Sequence, residues 1–416
     1  MHARSQTKVT QLPRRVARRL RRSGMGLLRT TRAITAKAFY SLPLVSRRNP
    51  RSMLAKCSDH CIGVDSFPIR SSLDSKDWYL RIRPCETIRR RSPFSIHQRD
   101  LELFYESITR HNQGEVFRFP EVFLACINKA RLYSKDFLVI SADKKRLYRE
   151  SALSRDDILE TNGIFDTIIW PSLKEVPGDF CLLAGPWSHK NYSEWLLGNL
   201  PRLSIIEQFD ELSSTRLIVP SPLRSYQEDT LLMAGILPER LVGFDNSHWQ
   251  VDRLYFPELP SPLGNPSPHA VSWLRARFLG QMPASPAASK RLLYVTRRDA
   301  SQRRVLNEEE IVNYLMGLGF EIICPGDFSF RDQINIFRDA SIVIGPHGAA
   351  FANMVFAPPN ATLIEFFGNN YLHGCYWALT NIRGQKHAFL TGPSQWLDYS
   401  ISLEQLKLLL AKVCGI

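Results

Sequence analysis

Residues 290–367 read KRLLYVTRRDASQRRVLNEEEIVNYLMGLGFEIICPGDFSFRDQINIFRDASIVIGPHGAAFANMVFAPPNATLIEFF, and their grammar decides the fold. RLLYVTR (291–297), FEIICP (320–325), SIVIGPHG (341–348) and ATLIEFF (361–367) are short apolar runs of strand type. Between the first two, Asn307 and Glu310 are spaced as a capping box, and Ile311, Leu315 and Leu318 supply a helical stripe. Ser329 and Asp332 open a second helix carried by Ile336, Phe337 and Ala340, and a short helical piece starts at Ala349. Strands alternating with helices of this length predict an α/β fold whose parallel, doubly wound sheet is covered on both faces.

The same alternation extends upstream. DFCLLAG, RLIVPS and RLYFPEL read as strands between residues 179 and 260, and HAVSWLRARFLGQM as a helix. In NYSEWLLGNLPRLSIIEQF, Trp195, Leu196, Asn199, Leu203 and Ile206 fall at near-helical spacing, with Pro201 as a kink or break. Residues 117–149 alternate and are rich in aromatics, which predicts a small antiparallel meander. PASPAAS (283–289) reads as a linker. The expected organisation is an extension over 1–60, an α/β domain with the meander over 61–282, the linker, and a second α/β domain over 290–416.

The formal charge of +14 is local: residues 1–60 hold 15 Lys and Arg against the single acid Asp59, and the remainder is balanced. Specific nucleic-acid binding by the body is therefore not expected. No apolar run is long enough to span a bilayer, and Arg22, Arg29, Arg32 and Lys37 break up any secretory signal. The expected location is cytoplasmic, with the tail either a disordered cationic extension or, through residues 1–50, a peripheral contact with an anionic inner-membrane surface. The eight cysteines read as free thiols, and the Cys57/Cys61 pair has no second pair to complete a four-thiolate zinc site.

Several residues could carry chemistry. Gly345-Pro346-His347-Gly348-Ala349-Ala350 follows a strand and opens a helix, a place where small residues and exposed N–H groups suit an anion such as a diphosphate. A purely structural turn is the alternative, since neither GxGxxG nor a P-loop is present. Arg297, Arg298, Arg303 and Arg304 follow the first strand, where a phosphate would meet guanidinium forks or where the loop is simply solvated. Glu365 ends a strand and could accept from ribose hydroxyls or form an ordinary salt bridge. His347 could donate to a phosphate or sugar hydroxyl. In the first half, His189, Asn191, Tyr192, Glu194 and Trp195 gather acid–base, amide and aromatic groups. Glu194 could deprotonate an acceptor hydroxyl, unless the segment is only an amphipathic helix with Trp195 in the core.

Three blocks in order, WSHKNYSEWLLGNLPRL (187–203), LYVTRRDASQRRVLNEEEI (293–311) and FSFRDQINIFRDASIVIGPHGAAFANMVFAPPNATLIEF (328–366), resemble glycosyltransferase family 61, including its bacterial polysaccharide-associated branch. The resemblance covers roughly 180–370. It implies a GT-B arrangement of two Rossmann-like domains facing a cleft, inversion at the anomeric carbon, a UDP-sugar donor, a glycan acceptor and no essential metal. No DxD-type acidic pair stands out in the donor-side region, which agrees. Arg297 and Arg304 match the family's basic positions and Asn307-Glu308 its following pair. His347, Gly348, Ala349 and Asn353 match its turn-helix block, and Glu365 its strand-end acid. The family's bacterial pattern often has His where Glu194 stands and an acid where Gly198 stands. If that acid is the family's base, this chain lacks it there: Glu194, one helical turn earlier, or His189 then takes the proton, unless the acceptor specificity has changed or the base lies elsewhere. A non-catalytic sugar- or nucleotide-binding protein, and a nucleic-acid-associated protein acting through the tail, are the competing readings.

Overall fold

A computed structural model describes residues 54–68, 76–111, 113–152, 171–258, 261–262, 264–283 and 290–416. The tail up to residue 53 and the 284–289 part of the expected linker lie outside these residues. Two β-sheets organise the chain, an eleven-stranded mixed sheet and a five-stranded parallel one.

In the first sheet, strands β1 (Lys174–Leu182), β2 (Arg216–Pro220), β3 (Leu241–Phe244) and β4 (His248–Pro257) run parallel in the spatial order β4-β1-β2-β3. The other edge of β4 pairs antiparallel with Val122–Asn128 and with Arg131–Tyr133. The meander expected over 117–149 is thus a continuation of the α/β sheet rather than a separate unit. Leu54–Ala55 pairs with Leu147–Tyr148, and Cys57 is buried beside it. Residues 54, 55 and 57 of the expected extension are thus held against this unit.

The second sheet has five parallel strands, β5 (Arg291–Val295), β6 (Glu321–Ile323), β7 (Ala340–Pro346), β8 (Thr362–Gly368) and β9 (Lys386–Gly392), in the order β6-β5-β7-β8-β9. Side chains alternate between its faces, as a two-residue period requires. Tyr294, Ile344, Ile364 and Leu390 pack with Ile311 of the helix Glu308–Gly317 and Leu406 of Leu403–Cys414. Leu293, Val343 and Leu363 face Ile334 of Phe330–Arg338. This is the doubly wound arrangement predicted. Ser329 caps the Phe330–Arg338 helix through its Oγ, which accepts from Asp332 N at 3.2 Å. The capping box expected at Asn307 is absent: its side chain bonds both backbone groups of Ile401, Nδ2 donating to O and Oδ1 accepting from N.

One segment crosses the expected domain boundary. The helix Gln98–Arg110 falls inside the expected 61–282 domain, but its Phe104 and Ile108 pack on Phe367, Trp377 and Phe389 of the second unit. Phe94 N also donates to His387 O at the edge of β9. The apolar spacing of Leu101, Phe104, Tyr105 and Ile108 makes the helix; the uncovered end of the β8–β9 face provides its partner. Phe104 is fully buried, so Phe104→Ala is expected to cost about 3–5 kcal/mol in denaturant unfolding. A loss under about 1 kcal/mol would show that this helix does not seal the second sheet.

Candidate functional site

The strand order of the second sheet reverses between β5 and β7, because the chain leaves β5 toward β6 and later builds outward from β7 on the other side. In open parallel sheets such a reversal leaves a crevice at the carboxyl ends of the two strands. Here those ends deliver Thr296 and Arg297 from β5 and His347 and Gly348 from β7. Any side chain at Gly345 would run into the Val295 carbonyl, and one at Gly348 into the Arg297 guanidinium. The two glycines therefore set how closely the strand ends and the arginine approach.

A cavity of about 330 Å³ opens at this point. Thr296, Arg297, Gln333 and Ala349 line it from the second unit, and Tyr192, Tyr226 and Asp229 from the first. Its size is in the range of small-molecule sites. Tyr192 closes the back: its hydroxyl donates to Asn353 Oδ1 at 2.6 Å, and Asn353 Nδ2 donates to Gln333 Oε1 at 2.8 Å. Asn353 is thus a fully buried bridge between the two units, and its amide is not presented to a donor molecule as the sequence reading expected.

Arg297 is half-buried, hydrogen-bonds Gln302 O through Nη2, and keeps a buried Nε that meets no acceptor among the described residues. Burial, then the nearby Arg303, lowers its pKa, yet a guanidinium stays charged at neutral pH. Arg303 has a left-handed backbone (φ 61°), and its guanidinium lies 5.1 Å from the centre of the Tyr371 ring. It faces the His347 region, lowering that imidazole's pKa. Arg304 turns the other way and pairs with Asp398 at 2.8 Å, while Arg298 pairs with Asp327. Of the two arginines expected as phosphate ligands, the structure brings Arg297 to the crevice and directs Arg304 away; Arg303 takes the inward place. Asn307, pinned to Ile401, is also outside it.

His347 is buried, with its Nδ1 2.8 Å from Glu365 Oε1, and His387 Nε2 lies 2.8 Å from Glu365 Oε2. Glu365 has no exposed surface and both its oxygens are engaged. It cannot meet ribose hydroxyls, and the role expected for it is corrected to that of orienting His347. Burial, then Arg303 and His373, holds the His347 pKa well below the usual imidazole range, so the ring is neutral at pH 7. Burial pushes the Glu365 carboxyl up.

The segment Tyr192–Ile206 comes in from the first unit. Pro201 cannot donate to the Leu197 carbonyl and its ring crowds that group; the helix widens to a π-turn over Glu194–Asn199 and tightens over Leu200–Arg202. Such π-turns recur at functional sites. Trp195 is fully buried and donates to Thr230 Oγ1 at 2.8 Å, so it is a core residue and offers no face to a sugar. Ser193 is hydrogen-bonded to Tyr376, and Glu194 lies close enough to Cys375 to raise the pKa of its thiol. Desolvation alone pushes the Glu194 carboxyl up to about 7. His189 is placed elsewhere, among Lys190, Asp136, Lys135 and Arg224. Tyr371, His373 and Cys375 also enter the site and were missed; His373-Gly374-Cys375 just before the helix Cys375–Arg383 was their only sequence signal.

The second unit is thus a Rossmann-like α/β unit with a cationic, glycine-lined switch point. The Glycosyltransferase 61 family matches residues 192–364, from Tyr192 to Ile364, one residue before Glu365. The EGF domain-specific O-linked N-acetylglucosamine transferase of Mus musculus is 29% identical over 115 residues, 26% of this chain and 22% of that protein. Its Drosophila melanogaster counterpart is 32% identical over 111 residues, 26% and 21% of the two chains. A β-1,2-xylosyltransferase of Arabidopsis thaliana is 32% identical over 104 residues, 20% of each. The chain thus spans about a fifth of the length of these curated relatives. Tyr192, Glu194, Arg297, Arg303, His347 and Gly348 lie within this matched segment; Glu365, Tyr371, His373 and Cys375 lie just beyond it.

Arg297→Ala is expected to weaken pyrophosphate binding about tenfold or more, the scale of a lost charge-assisted hydrogen bond. Arg304→Ala, which removes an exposed ion pair, should change it less than about threefold. Calorimetric titration of both variants checks this, and equal losses would contradict the assignment.

Proposed function

We propose that this chain is an inverting glycosyltransferase that moves a sugar from a nucleotide donor, UDP-linked, to a glycan hydroxyl, with the two sheets facing each other as GT-B domains. The observation that carries this reading is the cavity between the units, where Arg297 and Ala349 of one meet Tyr192 of the other, two residues before Glu194, inside the stretch that matches glycosyltransferase 61. The named relatives transfer N-acetylglucosamine or xylose, which supports sugar transfer and leaves this chain's own sugar and acceptor to experiment.

In this mechanism the donor diphosphate lies at the carboxyl ends of β5 and β7. Arg297 and Arg303 face its oxygens, and the first N–H groups of the Ala349–Val355 turn, which have no partner within a helix, add hydrogen bonds. These groups are fixed before reaction, so they stabilise the charge that develops on the leaving diphosphate without reorganising. Glu194, half-buried, takes the proton from the acceptor hydroxyl as that oxygen attacks the anomeric carbon. A carboxylate whose pKa stands near 7 is well matched to general-base work at neutral pH. Neutral His347, oriented by Glu365, contributes a ring nitrogen at the floor of the site. Peripheral attachment at a cytoplasmic membrane surface through residues 1–50 belongs to the same proposal, as it would bring the enzyme to a membrane-borne acceptor.

The test is a panel of nucleotide-sugars with glycan acceptors, following nucleotide release and sugar transfer in wild type and Glu194→Gln. Transfer from one UDP-sugar is expected, with kcat rising with pH through about 7 as Glu194 loses its proton. Glu194→Gln should lower kcat by about 10²–10⁴-fold and remove the acid limb of that profile. Its melting temperature should be no lower than wild type, because the substitution removes a charge from a desolvated place. Binding without turnover of any donor would overturn the catalytic reading.

A further inference from the structure

The floor of the crevice holds a cluster of which the sugar-transfer reading uses only His347. One ligand-capable atom from each of His347, His373 and Cys375 lies within 4.8 Å of the others, the one such grouping of three or more metal-ligating side chains found among the described residues. Two of them are buried and His373 is half-buried, so the cluster is enclosed yet reachable from the His373 side. We infer that His347, His373 and Cys375 form a binding site for a thiophilic divalent transition-metal ion of the zinc class.

Two features beyond proximity support the assignment. Zinc-binding imidazoles usually hold their second nitrogen on a carboxylate, which fixes the ring and strengthens the ligand. His347 has this arrangement: Nδ1 is taken by Glu365 Oε1 at 2.8 Å, which leaves Nε2 for the metal. Glu365 is in turn held by His387, so the carboxylate cannot swing away. The second feature is the support of the His373-Gly374-Cys375 turn. Gln113 Oε1 accepts from Gly374 N at 2.9 Å, which fixes the turn that carries Cys375. Burial, then Glu365 and Glu194, raises the pKa of the Cys375 thiol in the absence of an ion, so metal binding displaces its proton. Zinc–nitrogen and zinc–sulfur bonds of about 2.0–2.3 Å place tetrahedral ligand atoms roughly 3.3–3.8 Å apart. The cluster's candidate ligand atoms lie within 4.8 Å of one another, so an ion would draw them together.

Two imidazoles and one thiolate are soft ligands and do not suit a hard, oxygen-seeking cation such as magnesium. Three protein ligands leave a fourth position for water or an anion, as in open zinc sites. Arg303 and Tyr371 stand beside it, so an anionic ligand bound by the crevice would find both the ion and the guanidinium. The metal site does not depend on the sugar-transfer reading, and its test uses no activity measurement.

The full chain, stripped with a chelator, is titrated with zinc by calorimetry and separately with cobalt(II) by absorbance. One ion per chain is expected, with a near-ultraviolet thiolate-to-cobalt charge-transfer band. Cys375→Ser should abolish that band, His373→Ala should weaken zinc binding at least about tenfold, and Glu365→Gln, which acts through His347, about 10–100-fold. Because Cys375 is buried, its variant is checked by circular dichroism; His373→Ala, at a half-buried position, carries the test should Cys375→Ser fail to fold. No charge-transfer band in wild type, or zinc affinity unchanged in His373→Ala, would overturn the site.

Discussion

Two parallel strands that hand the chain off in opposite directions cannot both be covered at their shared carboxyl edge, and this constraint organises the molecule. It acts between β5 and β7, where the sheet order reverses. Close approach of the strands demands Gly345, and the arginine that follows β5 can lie across β7 only because residue 348 is also glycine. Tyr192 and Tyr226 of the first unit line the space this reversal leaves open, and Arg303 acts on His347 beside it.

Burial of ionisable groups around that space comes at a cost in stability, and the fold meets it unevenly. Glu365 is fully buried but shared between His347 and His387, so its oxygens are satisfied. Arg202, also fully buried, uses Ala184 O and lies near Glu258. Among the described residues no charged partner offsets the desolvation of Glu194, and its raised pKa is the consequence. A group kept in an unfavourable environment next to a cavity is the usual signature of function, because a purely structural position would be better filled by an amide or an apolar residue. The tyrosine–asparagine–glutamine chain through Tyr192, Asn353 and Gln333 then ties the unit that supplies Glu194 to the unit that supplies the arginines.

The second sheet was legible in the sequence because each strand is a short apolar run bounded by Gly, Pro or charge, and each helix shows its stripe. The crevice residues Arg297, His347 and Gly348 were legible for the same reason: they stand directly after strands. What could not be read was direction. Arg303 and Arg304 are neighbours, and only the left-handed turn at Arg303 decides which faces inward. Glu365 ends a strand like a ligand-binding acid, but its fate depends on His387, a partner supplied by the next strand. The destination of the helix Gln98–Arg110 was hidden too, because periodicity shows that a face is apolar without showing which sheet it will cover. The loop bringing His373 and Cys375 to His347 has no periodicity at all.

The most direct measurement is a crystal structure of the full chain with UDP. The diphosphate is expected within hydrogen-bonding distance of the Arg297 guanidinium and the Ala349 backbone N–H, with Glu194 on the open side of the β-phosphate. A nucleotide seated away from the ends of β5 and β7, or one whose phosphates contact Arg304 and leave Arg297 untouched, would contradict the placement of the site.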